Sequence, residues 1–184
     1  MENIVKSIKL SAKYLNNVEY GIPRSGHPEG KLKFHIADLE ANLEKLKQMG
    51  ISDEQYWKLQ FLIQVHDLFK AEESTDSPPQ TVHRHAVLAK QYATQFTDDE
   101  DLLNMIQYHD VNYHLWKEFK TQGKINEDQF ANLLRLIKDW DLFLMFVIID
   151  GCTKGKDYEK IGWFINEVKK YKVTKVGTGW ILAP

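Results

Sequence analysis

The dipeptide His66-Asp67 follows the apolar run Phe61–Val65. Burial of an imidazole or a carboxylate at this position is energetically unfavourable. Polar groups removed from water cost several kcal/mol unless they are paired. A His-Asp dipeptide in this position therefore indicates a proton network or a metal ion. Asp150 ends a second apolar run, Leu142–Ile149. Three further histidines lie along the chain in the order H, HD, H, H, D: His35, His85 and His109. This order favours the metal ion.

Two imidazoles and two carboxylates form the predicted ligand set, namely His35, His66, Asp67 and Asp150. Such a set suits an octahedral site that leaves positions for water and substrate, and it is compatible with Mn, Fe, Co, Ni or Mg, and also with Zn. A buried carboxylate without a partner would be neutralised by protonation. A divalent cation at Asp150 removes that problem, so we expect a divalent metal cofactor.

This arrangement resembles the HD superfamily of metal-dependent phosphohydrolases, whose pattern is a histidine, a His-Asp pair and a distant aspartate within a helical domain. The resemblance spans roughly residues 21 to 156 and is similar in local context to the HD domains of bacterial tRNA nucleotidyltransferases. No nucleotidyl-transfer head is present, so the resemblance implies a stand-alone HD domain. The segments that carry it are Ile22-Pro23, His27-Pro28-Glu29-Gly30, His66-Asp67-Leu68-Phe69-Lys70, Asp150-Gly151 and Lys154-Gly155-Lys156.

The resemblance implies hydrolysis of a small phosphorylated substrate, such as a nucleotide or another phosphate ester or phosphodiester. A metal would lower the pKa of a bound water and hold a phosphate oxygen beside it for in-line attack. His85 and His109 match extra histidines of many HD enzymes, which complete a second metal site in some members and bind phosphate in others. Both alternatives remain open for this chain.

Positive groups near the predicted ligands are candidates for substrate contact. Lys70 and Arg84, with His85, are expected to bind the phosphate, because positive charge stabilises the transition state. Asp67, Lys70 and His109 are the predicted catalytic residues. General acid or base work falls to Asp67, His109 or Glu72, and the sequence does not choose among them.

Several rival interpretations accompany this one. Asp110 and His114 have the i, i+4 spacing of one helix face and form a rival ligand pair. Asp141 is the rival to Asp150. Aromatic residues near His109 are core packing by default but are placed to stack on a nucleobase: Tyr108, Tyr113 and Trp116. A dinuclear phosphodiesterase or oxygenase-like member is the rival enzyme. A catalytically silent HD module that binds nucleotide or a protein partner is the rival from another class.

Helical spacing of apolar residues predicts an all-α fold, an HD-domain-like helical bundle, with a short C-terminal β-hairpin around Gly177 as its one strand-like element. Capping boxes are predicted at Ser52 with Gln55 and at Thr97 with Glu100, and Asn126 begins a further helix. Two Gly-, Pro- and Ser-rich loops, 21–30 and 71–80, are expected to rim a cleft or simply to connect helices. The predicted helices are 2–17, 32–49, 53–69, 82–96, 98–109, 111–121, 127–150 and 157–171.

Length, composition and net charge limit the classes of protein that are compatible with these expectations. A chain of 184 residues with 43% hydrophobic and 27% charged residues fits one globular domain. Its net charge of -2 argues against general nucleic-acid binding, which relies on a basic face. The single cysteine, Cys152, allows no intrachain disulfide and favours a reducing, cytoplasmic location. No apolar stretch approaches the length that spans a bilayer, so no membrane association is expected.

Overall fold

The structure, a computed structural model, describes residues 1–24, 28–73 and 84–182, and within these ranges the chain is all-α. A single 3-10 turn, Lys70–Glu72, follows the fourth helix. The α-helices are α1 (Glu2–Leu10), α2 (Ala12–Asn17), α3 (Leu32–Gln48), α4 (Asp53–Val65), α5 (Arg84–Ala93), α6 (Glu100–Gln107), α7 (Val111–Gln122), α8 (Glu127–Leu136), α9 (Trp140–Gly151), α10 (Glu159–Lys169) and α11 (Gly179–Leu182).

Helices α4 and α9 form the centre of the bundle. Ten of the twelve residues of α9 are buried, as expected for a helix that is apolar all round and therefore needs neighbours on every side. Helix α4 is buried continuously from Leu59 to Val65 and packs against α1, α3, α6 and α9. The predicted ligands His66-Asp67 and Asp150 thus lie at or just beyond the ends of the two most buried helices.

Two long predicted helices are each divided in the structure. The helix predicted over 2–17 breaks at Ser11, whose hydroxyl accepts a hydrogen bond from the backbone N–H of Tyr14 and so caps α2. The helix predicted over 127–150 ends at Leu136. The carboxylate of Asp101 accepts hydrogen bonds from the backbone N–H groups of Lys138 and Asp139, which holds the chain in a turn between α8 and α9.

The predicted helix starts are partly confirmed. Ser52 and Gln55 form a reciprocal capping box on α4, and Asn126 caps α8 through the N–H of Gln129. The capping box predicted at Thr97 is wrong, because Asp99 caps α6 instead. Asp99 accepts from the N–H groups of both Asp101 and Leu102, whereas the Thr97 hydroxyl accepts from the N–H of Asp99 itself.

The C-terminal β-hairpin predicted around Gly177 is wrong. Residues 173–178 form no strand, and Gly179–Leu182 is helical instead. Parts of both predicted loops, at 25–27 and 74–80, lie outside the described residues, as do His27 and the first two residues of the helix predicted over 82–96. In the described ranges, no helix combines the length and apolar content needed to cross a bilayer.

Two contacts fix the C-terminal end of α9, where Asp150 lies. The side-chain amide of Asn42 on α3 donates to the carbonyl oxygens of Ile149 and Cys152, at 3.1 Å each. The next residue after Asp150 is Gly151, and a Cβ atom there would lie 2.3 Å from Cδ1 of Ile161. Glycine at this position therefore lets α10 pack directly against α9, and Asn42 ties the same end to the helix that carries His35.

Candidate metal centre

Four buried histidines reach one point of the bundle from four different parts of the chain. His35 lies on the first turns of α3, and His66 follows α4 directly. His85 is the second residue of α5, and His109 lies in the turn after α6. All four are buried, as is Asp67, so the polar ends of these side chains meet in the interior and not at the surface.

The first ligand group consists of His35, His66 and Asp67, whose donor atoms lie within 4.8 Å of one another. Oδ2 of Asp67 is 3.3 Å from Nε2 of His66 and 3.9 Å from Nε2 of His35. Asp150 extends this group, since its Oδ1 lies 3.0 Å from Nε2 of His35. The structure therefore brings three of the four sequence-predicted ligands together, and places the fourth, Asp150, beside His35.

The second ligand group consists of Asp67, His85 and His109. Here the other carboxylate oxygen, Oδ1 of Asp67, lies 3.4 Å from Nε2 of His85 and 3.3 Å from Nε2 of His109. The two imidazole nitrogens are 3.5 Å apart. Asp67 is thus shared by both groups, with one oxygen directed at each, which is the arrangement of a carboxylate that bridges two metal ions.

The opposite ring nitrogen of each histidine faces an oxygen acceptor. Nδ1 of His66 contacts the carbonyl oxygens of Leu62 and Ile63 at 3.1 Å, and Nδ1 of His109 contacts that of Ile106 at 2.8 Å. A carbonyl oxygen only accepts, so Nδ1 carries the proton in both rings. Where either ring is neutral, its proton is on Nδ1 and its Nε2 presents a lone pair to the centre. This tautomer can bind a metal ion through Nε2.

Glutamates play the corresponding part for the other two histidines. Nδ1 of His35 lies 3.3 Å from Oε1 of Glu29, and Nδ1 of His85 is hydrogen-bonded to Oε2 of Glu73. Carboxylates behind ligating histidines orient the ring and raise its basicity. Neither glutamate was recognised from the sequence as a supporting residue, and neither has a spacing to its histidine that any secondary-structure period would reveal.

Unsatisfied polar atoms test whether these residues fit a metal ion. Nε2 of His66 and Oδ1 of Asp67 are buried and form no hydrogen bond with any described residue. The lone pair on Nε2 of a neutral His66 faces a carboxylate oxygen 3.3 Å away, so two acceptors oppose each other. Buried polar atoms without a partner are costly. A cation beside Nε2 of His66 or beside Oδ1 of Asp67 would supply the missing partner, and the donor set therefore fits a divalent ion.

The carboxylates of the centre are held in the ionised form. Burial raises the pKa of Asp67, but the interactions of the carboxylate with His66, Lys70 and His109 outweigh burial and hold the pKa well below its usual range. Burial likewise raises the pKa of Asp150, where Lys156 and His35 outweigh it and lower the pKa. A cation bound here would compete with Lys70 and Lys156 for these two carboxylates.

Histidine protonation competes with metal at the second group. Burial alone lowers the pKa of His109, but the nearby charges of Asp110 and Asp67 outweigh it and raise the pKa to about 9. At His66 burial dominates and lowers the pKa. A metal ion bound by His109 would have to displace its Nε2 proton, because ligating imidazoles are deprotonated at the metal-binding nitrogen.

Two cavities open onto the centre. The smaller, of about 420 Å³, is bordered by His35, Asp67 and Lys70 together with both charged and apolar residues of the segments 19–24 and 29–32. The larger, of about 680 Å³, is bordered by His85, Asp150 and Lys70, and Asp110 also lines it. Lys70 borders both cavities, and its Nζ lies 2.5 Å from Oδ2 of Asp67. This places the lysine of the His-Asp-x-x-Lys segment beside the candidate centre on the wall of both cavities.

Other predicted residues lie elsewhere. Arg84, predicted to bind phosphate, is the exposed first residue of α5 and lines neither cavity. Glu72 pairs with Lys13 at the surface. Asp141, the rival to Asp150, begins the opposite end of α9 and accepts a hydrogen bond from Thr174.

Asp110 was weighed from the sequence only as a partner of His114, yet it faces the metal centre. Its Oδ2 lies 3.3 Å from Nε2 of His109 and 3.6 Å from Nε2 of His85. Burial raises the pKa of Asp110, but His109 and Lys70 outweigh burial and lower it. Its position directly after His109 was the available indication, since it repeats the His-Asp order of residues 66 and 67.

Comparison with known proteins adds little to this picture. No protein-family model matches the chain, and no solved structure matches it. A stretch of 61 residues is 37% identical to part of Topoisomerase 1-associated factor 1 of Saccharomyces cerevisiae. That stretch is 33% of this chain but spans only 5% of the length of the yeast protein.

Proposed function

We propose that this chain is an HD-type, metal-dependent phosphohydrolase that acts on a nucleotide or another small phosphate ester or phosphodiester. The observation that carries the proposal is the sharing of Asp67 between two groups of buried histidines. Sites that hold two metal ions are a recurrent arrangement in enzymes that cleave phosphate esters. The order of the ligands along the chain, which resembles the HD superfamily, supports the same activity.

The residues divide into two ligand sets. The first ion would be held by His35, His66, Asp67 and Asp150, and the second by Asp67, His85 and His109. Divalent ions at these positions would supply Lewis acidity, lowering the pKa of a water molecule and withdrawing charge from a phosphate oxygen.

The remaining groups bind the phosphate and move the proton. Lys70 lies at the mouth of both cavities, where its ammonium can contact a nonbridging phosphate oxygen and stabilise charge that develops there. Both oxygens of Asp67 and Nε2 of His109 face the ligand groups, so neither residue is placed to accept a proton from water. We therefore assign that proton to Asp110, whose carboxylate is ionised and 32% exposed at the larger cavity.

The test begins with metal analysis of protein purified without added metal. We expect bound divalent metal, hydrolysis of p-nitrophenyl phosphate or of nucleoside monophosphates, and loss of that hydrolysis with a chelator. Asp150→Asn is expected to abolish activity, whereas Asp141→Asn on the same helix should retain it. Metal binding without hydrolysis across a broad panel of phosphate esters would instead favour the silent binding module, and oxygen consumption without hydrolysis would favour an oxygenase.

A further inference from the structure

Lys160 forms no ion pair with a carboxylate of the described residues, although the charges of Asp150, Asp110 and Asp157 act on it from a longer distance. It is the second residue of α10, it is half-buried, and its Nζ lies 5.4 Å from the centre of the Tyr113 ring. No ion pair joins it to a described residue. Burial and the adjacent charge of Lys156 lower the pKa of Lys160. An ammonium group in this setting gains from a bound anion, because partial desolvation without a partner is costly.

Lys160 differs in this respect from the other lysines of the same cavity. Lys70 pairs with Asp67, and Lys156 pairs with Asp150 through an Nζ–Oδ1 distance of 3.0 Å. These two lysines offset charges that belong to the metal centre. Lys160 lines the same cavity without a direct carboxylate partner among the described residues, and burial weakens its screening by solvent.

Asn112 provides a second, independent observation. It is buried, lines the same cavity as Lys160 and Tyr113, and its side-chain amide forms no hydrogen bond with a described residue. Its amide atoms reach the solvent of the cavity and are therefore available to a ligand. An amide and an ammonium bordering one cavity can together donate several hydrogen bonds to one anionic group.

We propose that Lys160 and Asn112 form a second anion-binding subsite, so that the substrate carries a further phosphate or carboxylate besides the phosphate that is cleaved. The proposal rests on the proposed hydrolase function only in taking one of the two anionic groups to be a phosphate that is cleaved. The cavity of about 680 Å³ has room for both groups, since it extends from His85 and Asp150 to Lys160. The preferred substrates therefore carry two anionic groups, one bound at the metal ions and the other at Lys160.

Three nonhydrolysable probes test the subsite without turnover: methylphosphonate, methylenediphosphonate and phosphonoacetate. Calorimetric titration of the Mn²⁺-loaded protein is expected to show at least one of the two-anion probes binding about tenfold more tightly than methylphosphonate, as one charge-assisted hydrogen bond allows. Lys160→Met and Asn112→Ala should each reduce that advantage, and Lys160→Arg should keep it. Lys169→Met is the matched control, because Lys169 is an exposed lysine of the same helix.

The two-anion probe that shows the Lys160-dependent advantage identifies the second group as phosphate or carboxylate. An unchanged affinity ratio in Lys160→Met, or no advantage in the unmodified protein, overturns the subsite. This result can be distinguished from failure of the proposed hydrolase function. A Lys160-dependent ratio in a protein that hydrolyses nothing supports the subsite and contradicts the hydrolase, whereas hydrolysis with an unaffected ratio does the reverse.

Discussion

Nε2 of His66 lies 3.3 Å from Oδ2 of Asp67, the next residue in the chain, yet the nitrogen forms no hydrogen bond with any described group. Nδ1 of the same ring faces two carbonyl oxygens, which fixes its proton on the far side. The two neighbours therefore direct lone pairs toward a common point. Such a relationship is expected of two ligands of one cation and is unfavourable without it.

Substitution of the shared carboxylate should affect both ligand groups. Asp67→Asn leaves an amide where an anionic bridge is required, so we expect loss of both metal ions. Asp150→Asn alters the first group alone and should leave one ion bound. Metal content per chain, measured by elemental analysis after dialysis, checks the difference, and equal losses in the two variants would contradict the sharing of Asp67.

The glutamate behind His85 should tune only the second group. Glu73→Gln keeps the size of the side chain but removes the charge that faces Nδ1 of His85. We expect metal affinity at one site to fall by about 10- to 100-fold, the usual effect of losing such a supporting carboxylate. Competition with a fluorescent chelator measures this. Glu72→Gln is the matched control, because Glu72 pairs with Lys13 at the surface.

Loss of the Asn42 amide should loosen the end of α9. In Asn42→Leu the carbonyl oxygens of Ile149 and Cys152 lose their donor in a buried position. We expect the free energy of unfolding in urea to fall by about 1–3 kcal/mol. Asn132→Leu should change it little, because that side chain only accepts a surface hydrogen bond from Arg135. Equal effects in the two variants would remove the role assigned to Asn42.

Tyr14 should make the fold sensitive to alkali. Its hydroxyl donates to Oε1 of Gln64 at 2.5 Å, and burial, followed by the charge of Glu40, raises the pKa of Tyr14 above its ordinary value. The folded state therefore favours the protonated form. The resulting stability is complete below about pH 10, the pKa in the unfolded chain, and is lost progressively as the pH rises above it.

Urea unfolding at about pH 9 and about pH 11 tests this dependence, since the two values bracket the ordinary pKa of tyrosine. Tyr14→Phe should be less stable than the unmodified protein at the lower pH, because it lacks the hydrogen bond to Gln64, but should lose less stability between the two. Tyr171→Phe, at an exposed tyrosine, should keep the full dependence. An identical decline in all three proteins would contradict the assignment.

Apolar periodicity was sufficient to predict the helices because burial of one face dominates helix stability. It failed where a polar group from a distant part of the chain ends a helix. The carboxylate of Asp101 holds the turn at Lys138 and Asp139, and no local pattern around residue 138 reveals a partner 37 residues away. The break at Ser11 was visible in principle, since serine is a common N-cap, but continuous helical spacing concealed it.

The candidate ligands were found from the sequence because buried histidine and aspartate in apolar runs are chemically unusual. Residues that support them were not, since Glu29 and Glu73 lie in polar loops where a glutamate is ordinary. The lack of an ion pair between Lys160 and any described carboxylate was equally hidden. This distinction depends on which lysines find a carboxylate, and this is a property of the folded cavity and not of residue type.

The first and last residues of the first ligand set are far apart in sequence, with Asp150 placed 115 residues after His35. During synthesis, the chain therefore lacks part of this ligand set until α9 has been made. Joining such distant segments carries a loop-closure cost that collapse of the apolar helices must meet first. An ion at the first ligand set is therefore expected to bind after the helices have packed, and to stabilise the folded bundle without nucleating its folding.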